Sequence, residues 1–371
     1  MVYLALGILP MPVNGVFGMK NIIYTHAVIA SLLISILHIQ SAIAESKGVA
    51  YVSNQDGGVS VVDLDSLEIK STYDPQAKGP RGIGITQDGS ILVTANKEDG
   101  NISLIDTRTG KLIKHISVGK NPEFVRVSGE TAYVTYEPSS SLNAGKKGAA
   151  AAKDGEDDDK TPGHIAIVDL KLGKVLQDLV GKPETEGVEI SKDGRKIFVT
   201  NESDNSITIL DSKSGKQIKN ISIAKYGERP RGIKISPDGS LTVTTLELSN
   251  KLLVLNDKFE VIKEIQTGKA PYGVAFNHEG TKIFVAANKD KILQVFDAKT
   301  FEKIKDIQTG DRCWHFSFSP DEQHIMLACG KSNELIFMDA KKLEITKRLS
   351  GLNTPWGVVT YPKTMGSIDR P

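Results

Sequence analysis

From Gly48 onward apolar and polar residues alternate in short runs, with Val, Ile, Leu and Thr at every second position and turn residues between the runs. The stretch from Pro230 to Gly268, PRGIKISPDGSLTVTTLELSNKLLVLNDKFEVIKEIQTG, shows the unit most plainly. Four alternating runs are separated by a Pro-Asp-Gly turn, a polar loop and a charged turn, which predicts a four-stranded antiparallel meander. The unit recurs along the chain. Its inner strands open at Pro80, Pro122, Thr185, Pro230, Pro271, Cys313 and Pro355. One such sheet cannot bury both faces alone, so the copies must pack face to face around an axis. The predicted fold is all-β, a seven-bladed β-propeller. Before Pro80 the chain supplies the second, third and fourth strands of a unit, AYVSNQDGGVSVVDLDSLEIKSTY, and after Pro355 it supplies only an inner strand. The C-terminal strand is therefore expected to complete the N-terminal blade and close the ring by strand exchange.

Spacing agrees with one blade per unit: Pro80 and Pro122 are 42 residues apart, Pro230 and Pro271 41. The third unit is longer, and its excess at 138–163 is without apolar periodicity and carries a run of acids, Asp154 to Asp159. It reads as a solvated surface insertion, because the acids lack the alternate spacing of a calcium loop. At the start, Met19-Lys20, the apolar run Ala27 to Ile39 and Ser41-Ala42-Ile43-Ala44 form the three parts of a secretory signal peptide. The domains expected are a leader at 1–44, whose true start is Met19, and a propeller at 45–371. The competing reading, a membrane anchor, needs about 20 apolar residues. Lys20 is the leader's one charged residue, so basic and acidic residues balance in the mature chain. That balance gives no reason to expect nucleic acid as a partner.

The segments YVSNQDGGVSVVD, IFVTNESDNSITILDSKSGK and PRGIKISPDG resemble the YVTN-repeat propellers. That family is similar to the haem-binding propellers of bacterial nitrite reductases and to seven-bladed lactonases. The ending, CWHFSFSPDEQHIMLACG and PWGVVTYPKTMGSID, resembles periplasmic members associated with quinoprotein (PQQ)-dependent oxidation. The resemblance implies a fold strongly and a chemistry weakly.

No P-loop, Gly-x-Ser-x-Gly elbow, His-Glu-x-x-His or Cys-x-x-Cys-His motif occurs. His115, His278 and His324 fall on an outer strand or in turns, where a solvated role is the simplest. His315 stands where other inner strands carry Gly82, Gly187, Gly232, Gly273 and Gly357, a place that Phe124 also fills. The position before it reads Arg81, Glu123, Glu186, Arg231, Tyr272, Trp314 and Trp356 around the ring. Such variety of charged and aromatic types suits a ligand-binding mouth on the channel, with a wet, unconstrained face as the alternative. Aromatic faces and arginine forks together suit a small planar anionic ligand, and a protein partner is the other candidate. Cys313 and Cys329 fall opposite one another in one blade, which suits a disulfide outside the cytoplasm or, with His315, a soft-metal site. Haem, quinone and copper are the candidate cofactors, with none as the default. The expected protein is a periplasmic or secreted monomer that binds or assists rather than catalyses, serving a quinone- or haem-dependent oxidation system. A lactonase-like hydrolase and a protein-interaction scaffold are the alternatives.

Overall fold

The computed structural model describes residues 46–137 and 161–371. The leader expected at 1–44 and most of the insertion lie outside these residues. Pro162 and Gly163, counted above in the insertion, belong to the strand Pro162–Asp169. The described residues form seven four-stranded antiparallel sheets and no helix. Blade 1 is built from Pro355–Tyr361, Val49–Asn54, Val59–Asp63 and Glu68–Tyr73, in that order from the axis outward. Blades 2 to 7 follow in chain order, with inner strands Pro80–Ile85, Pro122–Ser128, Thr185–Ile190, Pro230–Ile235, Pro271–Phe276 and Cys313–Phe318. Val52 pairs with Val358 and Ala50 with Thr360, so the two ends of the chain share one sheet.

Burial follows the radial order. Inner strands such as Pro271–Phe276 and Cys313–Phe318 are buried throughout, because neighbouring blades cover both faces. Outer strands such as Gln217–Ser222 are mostly exposed. Separate apolar cores fill the spaces between blades; one joins Ala50, Val52 and Val358 of blade 1 to Met326, Leu335 and Phe337 of blade 7. Each such Val, Leu or Ile contributes roughly 1.5–3 kcal/mol on burial. First-to-second-strand turns are fixed as the sequence suggests: Asp238 accepts from the Ser240 amide at 3.0 Å, and Gly239 takes a φ of 79°.

Near the axis the inner strands crowd. A Cβ on Gly187 would lie 2.3 Å from the Arg231 carbonyl oxygen, and one on Gly232 2.5 Å from that of Tyr272. The chain then does something the sequence did not announce. Past Tyr361 it turns back into the axial channel, where the Ser367 amide donates to the Phe316 carbonyl (2.8 Å) and the Phe318 amide to that of Met365 (2.9 Å). Met365 and Ile368 are buried there.

Removing residues 355–371 deletes the inner strand of blade 1 and the channel segment together. The truncated protein is expected to lose cooperative melting and to associate through the exposed edge, measured by calorimetry and size exclusion. A truncated monomer that melts like the full chain would contradict ring closure by this strand.

Candidate functional site at the channel mouth

Inner strands start, and second strands end, on one face of a meander, so two residues per blade reach the mouth. The first set is the one singled out in the sequence. Arg81 donates to Glu123 at 2.5 Å, and Arg231 lies in contact with Glu186. The Tyr272 hydroxyl also donates to Glu186. Arg81 sits over the Trp356 ring (5.3 Å), Arg231 over Tyr272 (5.1 Å) and Arg312 over Trp314 (5.1 Å).

The second set was missed. Lys97, Glu137, Glu202 and Glu247 each follow the last residue of a second strand, and Arg229 precedes Pro230. Lys97 reaches Glu123 at 3.5 Å, Arg229 reaches Glu202 at 2.8 Å, and Arg231 reaches Glu247 at 2.7 Å and also contacts Glu202. Arg81, Arg229 and Arg231 are thus each engaged by carboxylate, while Arg312 rests on the Trp314 ring. The signal was a column of charge after the second-strand ends, which comparing inner strands alone passes over.

Electrostatics follow from this packing. Burial works against the charge on Glu123, but Arg81 and Lys97 outweigh it and lower its pKa. Burial likewise opposes the charge on Glu247, and Arg231 and Arg229 overcome it. Glu137 behaves oppositely. Burial, then the fields of Glu123 and Glu184, push its carboxyl up from 4.5 to about 8, which Arg231 and Arg229 only partly offset. Asn121 Nδ2 contacts its Oε2 at 3.4 Å.

Below the mouth lies an aromatic layer. His315 is fully buried, 4.3 Å from Trp356 and 5.4 Å from both Phe124 and Tyr272 between ring centroids. Its Nδ1 meets Ser367 Oγ at 3.0 Å, while its Nε2 and the Trp356 Nε1 have no hydrogen-bond partner among the described residues. Burial, then Arg81, Arg126 and Lys234, lower its pKa well below the usual value, so the ring is neutral. The two Trp and Tyr272 are buried rather than open to a stacking ligand.

Cys313 and Cys329 are paired residues of adjacent strands with an S–S distance of 2.03 Å. Their sulfurs are joined to each other, and His315 is turned to Ser367 instead, so the three do not come together as a metal site. Among the described residues no group of three or more His, Cys, Asp or Glu could hold a metal ion.

Glu137 generates a pH prediction. Between about pH 4.5 and 8 the folded state keeps a proton that the unfolded chain has released, so this group lowers stability as pH rises. Glu137→Gln should therefore gain Tm relative to the parent on going from pH 5 to pH 8, by at least ~2 °C. A parent-minus-variant difference that stays constant would show that Glu137 titrates normally.

Comparison with the curated proteins finds no match. A model of the family described as Lactonase, 7-bladed beta-propeller, matches residues 128–258. Among solved structures, a functionally unknown protein from Desulfotomaculum acetoxidans is 15% identical, with 84% of this chain and 98% of that one covered and a TM-score of 0.70. A candidate 6-phosphogluconolactonase from Bacteroides uniformis is 14% identical over 85% of this chain and 99% of its own, with a TM-score of 0.68. The dihydro-heme d1 dehydrogenase NirN, solved in complex with DHE, is 16% identical over 86% and 76%, with a TM-score of 0.61. At these identities the likeness is one of fold, and the chain is a seven-bladed β-propeller similar over residues 128–258 to the seven-bladed lactonases.

Proposed function

We propose that this propeller binds a small, uncharged, hydroxyl-rich molecule at the channel mouth. One observation carries the reading: the mouth cations Arg81, Lys97, Arg229 and Arg231 are matched four against four by Glu123, Glu186, Glu202 and Glu247. Such a mouth offers many fixed donors and acceptors but little attraction for an anion. The planar anionic ligand read from the sequence suits it less well, because both arginines that were to hold it are committed to glutamates. Haem and a carboxylated quinone do not fit either: the aromatic faces are buried, and His315 is locked beneath them. The leader-like start and the Cys313–Cys329 bridge support a periplasmic or secreted setting.

A second reading, hydrolysis of a cyclic ester at the same mouth, is favoured by Glu137. A carboxyl held near pH 8 is suited to passing a proton to or from a reacting oxygen at neutral pH. The segment similar to the lactonases contributes Glu137, Glu186, Glu202, Arg229, Arg231 and Glu247 to the mouth.

Calorimetric titration with neutral sugars, polyols and aldonolactones tests binding. Saturable heat is expected for one member of this class, weakened at least ~10-fold by Arg231→Gln, about 1.4 kcal/mol. Heat only from anionic quinones, or from none of these compounds, would contradict the reading. Lactone hydrolysis above the spontaneous rate, lost by ~10²-fold or more in Glu137→Gln, would establish the second reading.

A further inference from the structure

The far half of the channel gathers a second set of charges. Arg126, Glu189 and Lys234 hold the fifth position of the inner strands of three successive blades, where Gly84, Ala275, Ser317 and Val359 stand in the others. The returning C-terminal segment adds Lys363, Asp369 and Arg370. Arg126 Nη2 and Lys234 Nζ both reach Glu189 Oε2, at 3.1 and 3.0 Å, and Arg370 Nη1 lies 3.8 Å from Oε1. Lys363 Nζ is 2.9 Å from Asp369 Oδ1 and also donates to the carbonyls of Ile85 and Val127.

Four cations thus face two carboxylates, and among the described residues these are their ion pairs. Arg126, Lys234, Glu189, Lys363 and Asp369 are almost fully buried. An uncompensated charge in such a place is costly. Burial, then Arg126, lower the Lys234 pKa to about 7, which removes part of the excess. The guanidiniums cannot shed theirs. With Lys234 neutral, one positive charge remains. Among the described residues the buried Arg126 Nη1 has no hydrogen-bond acceptor, and the Asp369 carboxylate is paired with Lys363 alone. A buried donor left unpaired in this way calls for a water or an ion.

We propose that a small inorganic monoanion of the halide class binds here, accepting from Arg126 Nη1 and balancing the excess charge of Arg126, Lys234, Lys363 and Arg370. The site is separate from the mouth: the aromatic layer of Phe124, His315 and Trp356 lies between them.

The test compares melting of the full chain at pH 7 in sodium bromide and in sodium gluconate at equal ionic strength, with anomalous diffraction from crystals grown in bromide. The expected result is a Tm that rises saturably in bromide and an anomalous peak beside Arg126 Nη1. Arg126→Met should abolish both. Should that variant fail to fold, Arg370→Gln, at the more exposed side, should raise the half-saturating bromide concentration several-fold. Equal melting in the two salts, a non-anomalous peak of water strength joining Arg126 to Asp369, or bromide bound only on the outer surface would each overturn the proposal.

Discussion

A hydrogen-bond relay through one hydroxyl in each of four blades holds the mouth in place. In blade 4 the Gly187 amide donates to Thr200 Oγ1 (2.9 Å), and that hydroxyl donates to the Arg231 carbonyl of blade 5 (2.8 Å). Blade 5 repeats the arrangement from Gly232 through Thr245 to Tyr272, and blade 1 from Gly357 through Ser53 to Arg81. Thr135 of blade 3 donates likewise to the Glu186 carbonyl. The relay answers a backbone problem. Inner and second strands slip register between Thr185 and Val188 and between Pro230 and Ile233, which takes the glycine amide out of the ladder. A buried amide must find another acceptor. The hydroxyl provides it and fixes the next blade's mouth residue with its remaining hydrogen.

Blades 2, 6 and 7 carry Ala95, Ala286 and Ala328 at the hydroxyl position. The residues they would have reached are Glu123, Trp314 and Trp356. Two of these precede Phe124 and His315, the bulky exceptions to glycine at the axis, and the third is Trp356, which packs on both. The unlatched positions Glu123, Trp314 and Trp356 thus lie beside the Phe124 and His315 rings, while the latched positions are Arg81, Glu186, Arg231 and Tyr272. The polar side of the mouth is preset by backbone contacts, so its charges are oriented before any ligand arrives. The returning C-terminal segment supports the layer from below through Ser367.

Much of this was legible in the sequence. The repeat fixes the number of blades, because Pro80, Pro122 and their counterparts recur at blade spacing, and the incomplete ends predict the shared sheet. Cys313 and Cys329 lie eight residues either side of Asp321 in the turn between their strands, which sets them opposite one another because antiparallel register is set by the turn. What the sequence hid was distance across the ring. Glycine reports crowding, but it does not say that Arg81 and Arg231 are close enough to their neighbours to be neutralised by them. Glu137, Glu202 and Glu247 each follow a strand end, where a charged residue is ordinary turn chemistry and signals no site. The channel segment from Lys363 to Arg370 was illegible for a different reason: it repeats nothing, and a short stretch of mixed residues carries no period.

Amide hydrogen exchange at Gly187 tests the relay most directly. Thr200→Val keeps the shape of the side chain and removes its hydroxyl, leaving a buried N–H without an acceptor at a cost of about 1–3 kcal/mol. The account predicts that Gly187 exchanges at least ~10-fold faster in this variant, while Gly232, whose hydroxyl partner is Thr245, keeps its protection. Unchanged protection at Gly187 would show that the mouth is held by packing alone and would contradict the account.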